Sequence, residues 1–170
     1  MVFLIGVLWF LAAPAADYAV DNETWNGLSR FWREAASLRA DIRQTRDLDW
    51  ALLDPQRDAL LFWSPETAVP TAKLWAFLHR GGRAAVAEDF RSGAFVFAEI
   101  GLNLVPEEEA FPVAVPMSQE HPLTKGLHRL VGNHAASFVP LPAPLWVFPD
   151  SARALVLEVP VGAGKLLLVS

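Results

Sequence analysis

The spacing of apolar residues predicts three helices between residues 28 and 100. The first carries an apolar stripe at the i, i+3, i+4, i+7 and i+10 positions of a helix, formed by Leu28, Phe31, Trp32, Ala35 and Leu38. The second covers residues 71–80 and is followed by Gly81, where a left-handed residue commonly ends a helix. The third is short and covers residues 93–100. Continuous apolar runs stand between these helices, so the chain is predicted to alternate between helix and strand.

Those apolar runs predict strands that are buried on both faces, as in a parallel sheet. Residues 59–63 and 83–87 are the two central examples, and each precedes a predicted helix. Further short runs predict strands in the last third of the chain, at residues 145–148, 154–159 and 165–170, with a hairpin turn at residues 161–164. A short strand is also expected at residues 17–20.

This order of elements predicts an α/β domain with three layers, in which helices flank a mostly parallel central sheet. Past Pro106, an acidic run at residues 107–109 and recurrent prolines predict an irregular, β-rich C-terminal part. The chain stops within an apolar strand, from which we expect a domain truncated at its C-terminus. Ligands of open parallel sheets bind at the carboxyl ends of the strands, so candidate site residues are expected there.

The first 16 residues predict export. Residues 2–13 form an unbroken apolar run, followed by Pro14-Ala15-Ala16 and then by the polar Asp17. This is the pattern of a signal peptide with a small-residue cleavage site, and the run is shorter than the roughly 20 residues that a membrane span needs. We expect residues 1–16 to be a signal peptide, with an uncleaved membrane anchor as the alternative. Residues 17–170 then form the exported domain, either periplasmic or anchored facing the periplasm.

Composition narrows the possible functions by exclusion. With 170 residues, 53% of them hydrophobic, the chain is long enough for one domain with a substantial core. The net charge is −5 and the 14 Lys and Arg residues are scattered along the chain, which excludes nucleic acid as a partner. The absence of cysteine excludes disulfides, thiolate metal sites and a cysteine nucleophile. Nothing in the sequence indicates a cofactor.

Glu88 and Asp89 are the candidates for chemistry, because they follow the predicted strand at residues 83–87. Two carboxylates at a strand end could act as acid and base or bind a cation. The structural alternative is that Asp89 caps the next helix and Glu88 is solvated. Neighbouring strand residues also point to opposite faces, which weakens any joint action of the pair.

Polar residues at two other loops are candidate ligand-binding groups. Asn22, Asn26 and Ser29 cluster at the first loop, where they could bind a small polar ligand or could simply form the turn into the first helix. Ser64 ends the strand at residues 59–63, but its neighbours lack the G-x-S-x-G motif that strains a serine into reactivity. These four residues and Asp89 form the predicted binding set.

The histidines and tryptophans favour structural roles. No metal site is predicted, since the histidines form no i, i+4 pair on a clear helix: His79, His121, His128 and His134. Trp32, Trp63 and Trp75 fall on predicted core faces. Trp25 and Trp146 are the tryptophans expected at the surface.

Several segments together resemble an uncharacterised bacterial family, domain of unknown function 4350. These are the Trp-Asn-Gly-Leu-Ser motif at residues 25–29, the strand and its Ser-Pro end at residues 58–65, and the helix, Gly-Gly-Arg turn and acidic strand end at residues 77–90. The His-Pro-Leu-Thr-Lys-Gly-Leu segment at residues 121–127 looks like an element of amidotransferase-like accessory domains. The likeness covers most of the chain after Asp17.

The resemblance implies a flavodoxin-like domain related to class I glutamine amidotransferases, usually membrane-anchored and of unknown biochemical role. In the catalytic relatives, a cysteine sits on a tight elbow after the strand that follows the Gly-Gly turn. That position corresponds to Glu88 and Asp89 here. Because the chain has no cysteine, amide hydrolysis through a thioester is excluded.

These observations predict a non-catalytic extracytoplasmic module rather than an enzyme. Its expected partner is a protein of an envelope-associated assembly or a small polar ligand. The alternative is a hydrolase that uses Asp89 and Glu88. A ligand site predicts a polar pocket at the strand ends, whereas a pure interaction module predicts that these polar groups are satisfied locally.

Overall fold

The computed structural model describes residues 19, 21–24, 27–38, 41–45, 47–65, 67–88, 94–139, 144–148 and 153–170. The chain divides into two compact units, Met1–Arg46 and Asp47–Ser170. The predicted signal peptide or anchor, most of the strand expected at residues 17–20, Trp25 and the site candidates Asn26 and Asp89 lie outside the described residues. Within the ranges given above, no helix is both long enough and apolar enough to cross a membrane.

The N-terminal unit contains helix α1, Ser29–Leu38. It confirms the helix predicted from the apolar stripe. Two residues of that stripe are nevertheless exposed, Phe31 to 42% and Leu38 to 81%, and Trp32 is half-buried. The spacing therefore predicted the element correctly, but not the burial of its apolar side.

Seven strands of the C-terminal unit form one sheet in the described part of the chain. They are β1 (Ala59–Trp63), β2 (Arg83–Ala87), β3 (Asn103–Pro116), β4 (Leu130–Val139), β5 (Pro144–Val147), β6 (Ala154–Val161) and β7 (Gly164–Val169). Helix α2 (Thr71–His79) connects β1 to β2, and α3 (Ala94–Glu99) lies between β2 and β3. The strand order is β1-β2-β7-β6-β4-β3-β5, and β5 also pairs with β6, so the sheet curls.

The predicted fold class is wrong, because the unit is rich in strands and its sheet mixes parallel and antiparallel pairs. Parallel pairing joins β1 to β2 and β2 to β7. The β3–β4, β3–β5, β4–β6, β5–β6 and β6–β7 pairs are antiparallel. The unit is thus neither the three-layer α/β domain nor the flavodoxin-like fold that was expected. Residues past Pro106 that indicated irregular structure instead form the two longest strands, which pair with each other.

Individual elements around the parallel strands agree with their predictions. The runs at residues 59–63 and 83–87 are strands β1 and β2, and the helix predicted at residues 71–80 is α2. Gly81 has a φ of 101°, the left-handed conformation expected after the helix. The hairpin turn predicted at residues 161–164 joins β6 to β7.

The side of the parallel strands that faces α2 forms the main core. Residues paired in register make two apolar rows across β1, β2 and β7: Leu60, Ala84 and Leu166, then Phe62, Val86 and Leu168. Leu74 and Leu78 of α2 belong to the same cluster and are fully buried. Burying one such leucine contributes about 1.5–3 kcal/mol. The three strands are therefore in register, and their carboxyl ends lie next to each other.

A second, smaller core lies in the curled antiparallel part and contains Trp146 and Phe148. Trp146 is 3% exposed, so its predicted surface position is wrong. Trp63 is 37% exposed, so its predicted core position is wrong too. Trp146 is buried because β5 pairs with both β3 and β6, whereas Trp63 lies on β1, the first strand in the sheet order. Trp75 is half-buried.

The turn between β6 and β7 depends on two glycines. Gly162 has a φ of 60°, in the left-handed region. At Gly164, an added Cβ would collide with the carbonyl oxygens of Leu78 and Gly82. Lys165 N also donates a hydrogen bond to the Gly82 oxygen at 3.1 Å. The β7 backbone therefore runs directly against the chain that links α2 to β2.

Candidate functional site

Ser64 is the first residue after β1 and has an unusual environment. Among the described residues, it is the only one other than glycine that has a positive φ, and this angle is 41°. It is 8% exposed, and its Oγ is buried without a hydrogen-bond partner in the part of the chain that the structure describes. Its backbone N–H donates to the Ala87 oxygen at 2.8 Å, which fixes the residue against the end of β2. A strained backbone and an unpaired buried hydroxyl thus coincide in one residue.

Glu88 is the first residue after β2 and lies in register with Ser64, since Trp63 pairs with Ala87. It is 4% exposed, so the alternative in which it is solvated is wrong. Its backbone N–H donates to the Val169 oxygen at 3.0 Å. A carboxylate buried to this extent needs a polar or charged partner, and Glu88 has a polar interaction.

Ser170 completes a row of three polar residues that follow the three parallel strands. Ala87 pairs with Val169, so Ser170 follows β7 at the level of Glu88. Its Oγ donates to the Ala136 oxygen at 3.0 Å. Sequence reasoning did not single out Ser170, although its place directly after an apolar strand was the available signal. We name Ser64, Glu88 and Ser170 the strand-end row.

Asn22 and Ser29 lie together in the N-terminal unit. Ser29 N donates to the Asn22 backbone oxygen at 3.3 Å. The Asn22 side-chain oxygen accepts hydrogen bonds from the N–H and the hydroxyl of Thr24, at 2.8 and 2.6 Å. Asn22 is 2% exposed and Ser29 is buried. The side-chain oxygen of Asn22 is therefore engaged by its own loop.

The segment at residues 121–127 forms a tight turn between β3 and β4. Thr124 is fully buried, and the single proton of its Oγ1 is shared between the backbone oxygens of Ser118 and His121, at 2.5 and 3.1 Å. The His121 Nδ1 accepts a hydrogen bond from Leu123 N at 3.2 Å. These bonds account for the histidine and the threonine of the motif as turn-forming residues.

Glu158 on β6 links this turn to β7. Its Oε1 lies 2.7 Å from the Lys165 Nζ and 3.4 Å from the His121 Nε2. Burial raises the pKa of Glu158, but the hydrogen bonds and charges of Lys165 and His121 outweigh it and hold the pKa below its ordinary value of 4.5. This cluster stabilises the fold while Glu158 is ionised.

The Ser64 hydroxyl has no base against it in the described part of the chain. A serine hydroxyl becomes nucleophilic when a base accepts its proton, and no described residue accepts a hydrogen bond from the Ser64 Oγ. No three His, Asp or Glu side chains in the described ranges are grouped so as to hold a metal ion.

No protein-family model matches the sequence, and no curated protein matches it either.

Proposed function

We propose that this chain is a non-catalytic binding module that holds a small polar ligand at the carboxyl ends of β1 and β2. The observation that carries this proposal is the buried Ser64 Oγ, which has no hydrogen-bond partner among the described residues. Its neighbour Glu88 contributes a buried carboxylate at the same edge. A hydroxyl and a carboxylate that follow neighbouring strands suit a ligand with at least one hydrogen-bond donor.

The cost of this arrangement supports a functional role. A left-handed conformation costs an L-residue about 1–2 kcal/mol. An unsatisfied buried hydroxyl costs about 1–3 kcal/mol more. Strain of this kind is concentrated at ligand-binding and active sites. A ligand that accepts or donates a hydrogen bond at the Ser64 Oγ would recover the second of these costs on binding.

Two chemical arguments favour binding over catalysis. The chain has no cysteine, which removes the nucleophile of the amidotransferases that its sequence resembles. The Ser64 Oγ has no base against it in the described part of the chain, so it is not activated as a nucleophile. A weakly reactive, buried hydroxyl is suited to recognition.

We also infer that the module is exported and works at the cell envelope, where a protein partner would accompany the ligand. The apolar run at residues 2–13 and the small residues that follow it support this inference. The test is an alkaline phosphatase fusion to the full chain in a bacterial host, with the N-terminus of the product determined by mass spectrometry. Phosphatase activity with loss of residues 1–16 would support a cleaved signal. An inactive fusion would contradict export.

Ligand binding is tested by thermal unfolding of the full chain against a panel of monosaccharides, nucleotides and amino acids. A ligand at a hundredfold excess over its Kd should stabilise the chain by about 2.7 kcal/mol. Ser64→Ala should abolish that stabilisation. The matched control is Ser37→Ala, because the Ser37 hydroxyl is exposed and bonds only within its own helix. Equal responses of both variants would contradict a site at Ser64.

A further inference from the structure

A groove on the C-terminal unit lies apart from the residues of the strand-end row. Its volume is about 410 Å³, and it is lined by one side of α2 and by the turn at residues 48–51. Helix α2 contributes Lys73 and Ala76, and Arg80 directly follows the last residue of the helix. These residues stand at i, i+3 and i+7, so they share one helix face. Ala76 is the small residue between the two long side chains, and the Arg80 Nε donates a hydrogen bond to its backbone oxygen at 3.3 Å.

Lys73 and Arg80 are both exposed, and neither has an acidic partner within the ranges that the structure describes. A helical rise of 1.5 Å per residue places their backbones about 10 Å apart along the helix axis. Asp49, on the opposite wall, is also exposed, and its Oδ1 accepts a hydrogen bond from Ala51 N at 3.0 Å. The α2 side of the groove is therefore positively charged.

Beside Asp49, the opposite wall carries the apolar residues Leu48, Trp50 and Ala51, and it is anchored in the core. Trp50 stacks on Phe62 of β1, with ring centroids 6.3 Å apart and an interplanar angle of 17°. Leu48 beside it is half-buried. The Gln56 side chain also donates a hydrogen bond to the Arg80 oxygen at 3.1 Å, which ties the end of α2 to the segment before β1. These contacts limit the movement of the two walls relative to each other, which favours a preformed site.

We propose that this groove binds an acidic peptide of a partner protein in an extended, polyproline II conformation, with two carboxylates three residues apart and two apolar residues between them. In that conformation the chain rises about 3.1 Å per residue with about three residues per turn, so side chains three residues apart lie on one face and roughly 9 Å apart, close to the separation of the two cations along α2. The intervening apolar side chains would contact Leu48 and Trp50. Because the whole chain carries a net charge of −5, attraction of an acidic partner must come from these local cations. This inference uses no residue of the strand-end row and does not depend on the ligand proposed there.

The test measures fluorescence anisotropy of a labelled peptide, Gly-Ser-Glu-Leu-Phe-Glu-Ser-Gly, with the full chain. The same peptide with both glutamates changed to glutamine is the ligand control. We expect the glutamate peptide to bind and the glutamine peptide to bind about tenfold more weakly or worse. Absence of binding at the highest protein concentration reached would overturn the proposal.

Two variants locate the binding. Lys73→Glu/Arg80→Glu reverses both cations and should weaken binding of the glutamate peptide by about tenfold or more. Its matched control is Lys125→Glu/Arg129→Glu, which makes the same charge change at exposed residues of the turn before β4. Ala76→Phe fills the groove without a change of charge and should also prevent binding. Equal weakening by the control pair, or full binding by Ala76→Phe, would refute the assignment. All these sites are exposed, so folding is checked simply by far-ultraviolet circular dichroism.

Discussion

Replacing Ser64 with alanine should make the protein more stable, which is the opposite of what most buried substitutions do. The hydroxyl that is removed is buried and has no hydrogen-bond partner among the described residues. Alanine keeps the Cβ, so the packing at the end of β1 is preserved and no cavity beyond one oxygen atom is left. The backbone strain from the φ of 41° remains, since alanine suffers it equally.

The magnitude follows from the separate costs. Removing an unsatisfied buried hydroxyl should raise the free energy of unfolding by about 1–3 kcal/mol. Ser64→Gly should gain a further relief of about 1–2 kcal/mol from the left-handed backbone. The greater conformational freedom of glycine in the unfolded chain offsets about 0.5–1 kcal/mol of this gain. Ser64→Gly is therefore expected to be at least as stable as Ser64→Ala.

The assay is urea unfolding of the parent chain and both variants, followed by tryptophan fluorescence, with Tm as a second measure. At this chain length, 1 kcal/mol corresponds to about 2–4 °C in Tm. Loss of 1 kcal/mol or more in Ser64→Ala would refute the reasoning, because it would mean that the Oγ has a stabilising partner. A more stable variant that no longer binds ligand would instead show that stability is given up for binding at this residue.

Four further substitutions test other parts of the structure. Thr124→Val should lower the free energy of unfolding by about 0.5–1.5 kcal/mol in urea titrations, since its buried hydroxyl, unlike that of Ser64, has carbonyl oxygens within hydrogen-bond distance to accept its proton. Gly164→Ala should cost about 1–3 kcal/mol or more by the same measurement, because a Cβ there meets two carbonyl oxygens. Gly126→Ala, where a Cβ meets nothing within 4 Å, should cost only the left-handed strain, and equal losses at both glycines would contradict the close approach. The pKa of Glu158 is lowered in the folded state, so its stabilisation is present above its unfolded pKa near 4.5 and is lost as the pH falls through the folded pKa. Glu158→Gln should therefore reduce the loss of unfolding free energy that acidification below about pH 5 causes in urea titrations. An unchanged dependence of the unfolding free energy on pH would count against the cluster with Lys165.

Local sequence patterns predicted the elements whose neighbours in the chain determine them. The apolar run of β1, the helix that follows it and the glycine that ends this helix were all identified, because each depends on residues a few positions apart. The same holds for the β6–β7 hairpin, which is closed by a short glycine-rich turn. Parallel pairing of β1 with β2 also followed from a single strand, helix and strand in sequence.

Long-range antiparallel pairing was not predictable in the same way. Strand β3 contains Pro106, Pro112 and Pro116 and an acidic run, which individually indicate a loop. It is a strand because β4 pairs with it at positions between Asn103 and Ala114, with irregular register between Pro106 and Phe111 and again before Val113. Bulges of this kind accommodate prolines that lack an N–H, and their position depends on the partner strand. The same dependence on distant partners explains why Trp146 is buried.

The error in fold class does not remove the reason for seeking a site at the strand ends. That reason requires only neighbouring parallel strands, because parallel strands place their carboxyl ends at one edge of a sheet, whatever the rest of the sheet does. The three strands β1, β2 and β7 meet this requirement, and the residues that follow them are Ser64, Glu88 and Ser170. The antiparallel strands supply another part of the edge, since the Ser170 hydroxyl bonds to the Ala136 oxygen of β4. Of the three side chains, Ser64 is the one whose buried polar atom stays unpaired within the described structure, so a ligand at this edge has the most to gain by contacting it.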